Sequence, residues 1–85
     1  MKHIDNVASF DYWLGRARPG ERVVYYDGFL MMDREKFLKS GGSPEGFPDT
    51  IRTGIMAWKA YERGMVRLFQ RKRDYFEYEY VAVRV

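Results

Sequence analysis

The chain has 85 residues, 46% of them hydrophobic and 18% aromatic, which suits one small domain over 1–85 and excludes a disordered tail. With no cysteine it can form neither a disulfide framework nor a thiolate zinc site. No apolar run approaches the ~18–20 residues that span a bilayer, and Met1–Asn6 lacks the apolar stretch of a secretory signal. A cytoplasmic protein with no membrane partner is therefore expected. The net charge of +3 is unevenly spread. Residues 1–49 carry seven basic and eight acidic side chains, and residues 50–85 carry eight basic and four acidic. Positive charge focused in one part of a chain suits a polyanion such as nucleic acid.

Phe10, Trp13, Leu14 and Ala17 fall at i, i+3, i+4 and i+7, one face of a helix. Asp5 or Ser9 supplies a cap, and Arg18-Pro19-Gly20 ends the helix. Arg22 to Tyr26 reads as a strand, because Val23, Val24, Tyr25 and Tyr26 are β-branched or aromatic. Asp27-Gly28 is a hairpin signal, so Phe29–Met32 is either a return strand or an extended lead-in to the next element. Asp33 caps a short helix from Arg34 to about Ser40 that buries Phe37 and Leu38. Residues 40–49, rich in Gly, Pro and Ser, form a loop.

Asp49 or Thr50 opens a second strong helix that runs to Arg63 and closes at Gly64. Its core stripe is Ile51, Ile55 and Trp58. Gly54 beside that stripe marks the close approach of another element. Met65–Lys72 and Phe76–Val85 then read as an antiparallel hairpin with a basic tip, Arg71-Lys72-Arg73. Val66 and Leu68 share one face of its first strand, with Arg67, Phe69 and Arg71 on the other. In the second strand Phe76, Tyr78, Tyr80 and Ala82 oppose Glu77 and Glu79.

The segment Ala57–Arg73 (AWKAYERGMVRLFQRKR), followed by Tyr78–Arg84 (YEYVAVR), resembles the last helix and wing of small winged helix-turn-helix proteins, including phage and prophage ones. Pro19–Tyr26 (PGERVVYY) is similar to their first strand. The resemblance implies an α+β winged-helix fold with a C-terminal hairpin wing, and a DNA-binding transcriptional regulator. The chain departs from the pattern in one respect: residues 40–49 separate the two central helices, where three or four residues make an ordinary turn.

Catalytic chemistry has little to stand on. His3 is the lone histidine and lies near a terminus, and Ser9, Ser40 and Ser43 have no recognisable base beside them. Ser40-Gly41-Gly42-Ser43 lacks the ending of a phosphate-binding loop. No enzyme, metal or cofactor is expected. The informative group is on the helix of residues 50–63, where Arg52, Lys59 and Arg63 lie within about 40° of one another at ~100° per residue. Met56 sits beside them, and Thr53 and Ala60 flank them. A recognition helix needs such a division, with an apolar face seated on the domain and a face of Arg, Lys, Thr and small residues reaching bases and phosphates.

Arg71, Lys72 and Arg73 then serve as phosphate contacts on the wing. The expected DNA-binding set is Arg52, Thr53, Met56, Lys59, Arg63, Arg71, Lys72 and Arg73, acting on double-stranded DNA, with a homodimer to read two half-sites. A minority reading makes Tyr75, Phe76, Tyr78 and Tyr80 a stacking platform for single strands. The alternative function is a phage-type module that binds a host protein, favoured by the modest charge and the aromatic surplus.

Overall fold

Asn6 starts the first helix. In the computed structural model, which describes residues 1–85, Asn6 is extended and its Oδ1 accepts the Ser9 amide at 2.7 Å. That satisfies a donor with no partner inside the helix, so Asn6 is the cap rather than Asp5 or Ser9. The helix, α1 (Val7–Arg16), buries Phe10, Trp13 and Leu14 as its spacing predicts. Ahead of it Lys2–His3 forms a short strand, β1, parallel to β2 (Arg22–Gly28) with Lys2 opposite Val23 and His3 opposite Val24. Two residues carry no periodicity, so this strand leaves no trace in the sequence pattern.

Asp27-Gly28 does not turn a hairpin. Gly28 adopts φ +125° and the chain enters α2 (Leu30–Lys39), so Phe29–Met32 is neither return strand nor extended lead-in beyond Phe29. Tertiary contacts decide this. The Tyr80 hydroxyl accepts the Leu30 amide at 3.1 Å, and the Tyr26 hydroxyl donates to Asp33 Oδ2 at 2.5 Å. Asp33 therefore lies inside the first helical turn, where its charge suits the helix dipole, instead of capping the helix from outside. Phe37 is half-buried against Phe47, but Leu38 is 40% exposed. The following segment holds a short 3-10 turn at Pro44–Gly46 and then buries Phe47, so it is a packed element and not a bare connector.

The third helix, α3 (Asp49–Glu62), has Pro48 at its cap position. Asp49 is occupied elsewhere, since its Oδ2 accepts the Val7 amide at 3.0 Å and ties α3 to the start of α1. Gly64 at φ +73° stops the helix as expected. Its buried residues are Ile51, Thr53, Gly54, Ala57 and Ala60. The sequence stripe of Ile51, Ile55 and Trp58 is thus only partly seated: Ile55 is half-buried and Trp58 is 55% exposed. Small side chains let α3 lie close on the sheet, and this rotates the larger residues away from it.

β3 (Val66–Asp74) and β4 (Glu77–Arg84) pair antiparallel, completing a mixed four-stranded sheet in the order β1-β2-β4-β3. Their turn is Tyr75-Phe76, with Phe76 at φ 58°. Arg71 and Lys72 stand within β3, opposite Glu79 and Tyr78, and Arg73 follows at a register shift, so the tip is aromatic and not basic. Phe10, Trp13, Leu14, Ala57 and Ala60 pack with Val23, Tyr25, Val66 and Ala82 into the core on one face of the sheet. By strand alternation His3, Glu79, Arg71 and Phe69 lie on the other face, which carries no helix. No helix is long and apolar enough to cross a membrane.

Candidate nucleic-acid interface

The basic stripe of α3 is real as a surface. Arg52, Lys59 and Arg63 are all exposed, and none lies within ion-pair distance of a carboxylate. Arg52 is held in place by neutral acceptors. It donates from Nε to the Phe47 carbonyl at 3.0 Å and from Nη2 to the Glu45 carbonyl at 2.5 Å. Its charge is not cancelled, but its side chain also fastens the 3-10 segment to α3. Met56 is half-buried against the core.

Thr53 does not belong to this surface. It is 0% exposed, and its hydroxyl donates back to the Asp49 carbonyl at 2.7 Å. On the helical wheel Thr53 stands ~100° beyond Arg52, far enough to enter the contact with the sheet.

Nor do the three basic residues of β3 extend the stripe together. Arg71 is paired with Glu79, its Nε donating to Oε1 at 3.0 Å and its Nη2 to the same oxygen. Arg73 Nη1 lies 3.2 Å from Asp27 Oδ1 and 3.8 Å from Glu79 Oε2. His3 Nδ1 is 3.4 Å from Asp27 Oδ2, and its Nε2 is 4.0 Å from Glu79 Oε2. The Arg71 hydrogen bond, reinforced by the charges of Arg71, Arg73 and His3, outweighs desolvation and lowers the Glu79 carboxyl from its ordinary value. These charges neutralise one another on the helix-free face. Lys72 is turned to the opposite side, with its ammonium 4.9 Å from the centre of the Tyr75 ring. It is the one cation of this trio without a carboxylate partner.

The sequence reading missed the cluster of His3, Asp27 and Glu79, whose nitrogen and oxygen atoms lie within 4.8 Å of one another. Its members come from three strands far apart in the chain, and no local spacing could have revealed them. Two guanidinium groups already engage its carboxylates.

A second feature emerged only from packing. A groove of about 620 Å³ runs between α2, α3 and the helix-side face of β3 and β4. Leu30, Ile55 and Trp58 wall it, and Tyr25, Leu68 and Tyr80 line its floor. The close contact expected at Gly54 occurs here, with Leu30 of α2 pressed against it. No protein-family model, curated protein sequence or solved structure matches this chain.

Proposed function

We propose that the chain is a winged-helix DNA-binding protein whose α3 enters the major groove. The observation that carries this reading is the exposed line of Arg52, Lys59 and Arg63, free of carboxylates, on a helix seated by its opposite side. The element order α1, β2, α2, α3, β3, β4 and the strand order β2-β4-β3 are compatible with a winged helix. The β3–β4 hairpin is then the wing, and Lys72 its phosphate contact. On this reading the protein is a cytoplasmic regulator of transcription of prokaryotic or phage type, paired as a dimer to read two half-sites.

Fluorescence anisotropy with a mixed-sequence duplex tests it. Four phosphate contacts, from Arg52, Lys59, Arg63 and Lys72, weaken binding by about 150-fold between roughly 50 and 200 mM salt, at a slope of ~0.9 per contact. Lys59→Glu/Arg63→Glu abolishes the binding. These two residues are better probes than Arg52, which also holds the loop. Wild-type protein that leaves the duplex free at low salt overturns the proposal.

One observation favours the second reading, a module that binds a host protein. The hairpin tip presents Tyr75 at 79% exposure beside Phe76, and Phe76 and Tyr78 pack on Phe29. Exposed aromatic groups of this kind suit an interface hot spot. A crosslinker at position 75 that captures one defined partner, with capture lost in Phe76→Ser, supports it.

A further inference from the structure

We propose that the groove between α2 and α3 binds a small planar aromatic carboxylate. Its volume of about 620 Å³ falls within the ~300–1,000 Å³ of small-molecule sites. Leu30, Ile55 and Trp58 offer apolar walls for a flat ring, and more than half of Trp58 is uncovered.

Tyr25, Tyr80 and Arg34 bring donors with capacity to spare, and Gln70 adds a side-chain amide. Tyr25 is 96% buried by its neighbours (4% exposed), yet its hydroxyl takes part in none of the hydrogen bonds of the fold. Burial beside Tyr80 pushes this phenol well above its ordinary range, so it keeps its proton. The Tyr80 hydroxyl accepts the Leu30 amide, and its own proton has no protein acceptor. Arg34 at the rim has no carboxylate partner, and its guanidinium lies 5.9 Å from the centre of the Phe47 ring. Aspartate and glutamate are absent from the lining. Two phenol protons and a guanidinium around an apolar slot complement an anion that accepts hydrogen bonds and carries an aromatic body. The site is separate from the basic stripe, because Trp58 and Lys59 are turned ~100° apart on α3. It stands whether or not the chain binds DNA.

An ¹⁵N-edited titration of the full chain with naphthylacetate, beside the uncharged naphthylacetamide, tests this. The two tryptophans are built-in reporters, since Trp58 borders the groove and Trp13 is buried in the core beside Phe10. The carboxylate saturably shifts the Trp58 indole and the amides of Gly54 and Gln70 and leaves Trp13 in place. Arg34→Gln weakens it about tenfold, the loss expected for one charge-assisted hydrogen bond, while the amide is little affected. Tyr25→Phe weakens it as well, and Arg34→Gln, at an exposed position, carries the test should that variant not fold. Shifts centred on Trp13, no saturation below about 1 mM, or equal affinity for the amide overturns the proposal. So does a dimer in sedimentation that dissociates in Trp58→Glu, which would make a second copy the occupant.

Discussion

A β-carbon built on Gly54 would lie 2.7 Å from Leu30 Cδ2, so α2 and α3 meet where one of them has no side chain. The contact sets the width of the adjoining groove. Gly54→Leu overfills it and lowers stability by about 1–3 kcal/mol, as overpacking does. Leu30→Ala in the same background recovers part of the loss. Urea unfolding of the two single variants and the double variant measures that coupling, and strict additivity would refute the contact.

Arg52 and its two neighbours on the stripe differ in what they do for the fold. Arg52 donates to the carbonyls of Phe47 and Glu45, whereas neither Lys59 nor Arg63 makes a side-chain hydrogen bond or ion pair. Arg52→Met therefore costs about 1 kcal/mol of stability. Lys59→Met and Arg63→Met stay within about 0.5 kcal/mol of the wild type. Thermal or denaturant melts of the three single variants check this ordering.

The network on the helix-free face makes stability depend on acid. Glu79 is held below its ordinary value of 4.5, so its contribution is present above that pH in the folded protein. It is lost as the pH falls through the lowered value, because folded Glu79 must then take up a proton against Arg71. The stability difference between wild type and Glu79→Gln accordingly closes on acidification below about 4.5. Paired urea titrations at neutral and acidic pH would show it, and a pH-independent difference would count against the network.

Tyr25 and Tyr26 make stability depend on alkali, both in the same sense. Burial raises both phenols from 10.0, with the hydrogen bond to Asp33 adding to the effect at Tyr26. Their contribution to stability is intact below pH 10 and is lost as the pH rises beyond it, since the unfolded chain ionises there first. Ultraviolet titration should find these two of the seven tyrosines still protonated after exposed ones have ionised. Tyr25→Phe and Tyr26→Phe assign the late steps.

The features legible in the sequence are those written in local spacing. Phe10, Trp13 and Leu14 at helical intervals place α1 on the core. Alternation in Val66–Leu68 and Tyr78–Ala82 marks the two faces of the hairpin. Gly54 and Gly64 stand where a close contact and a helix stop require them. The cations of α3 appear as one stripe because three residues of one helix share a wheel position.

What the tertiary structure alone decided is which face each element buries and which charge meets which. Ala57 and Ala60 seat α3 and turn Trp58 outward, a choice between two amphipathic stripes that periodicity cannot rank. Tyr80 and Tyr26, from two strands, start α2 four residues before the position that Asp33 suggests. Arg71 and Arg73 look free in the sequence, but Glu79 and Asp27 reach them across paired strands. Local sequence determines periodicity and turn chemistry, whereas desolvation and charge pairing depend on partners brought together only when the sheet forms.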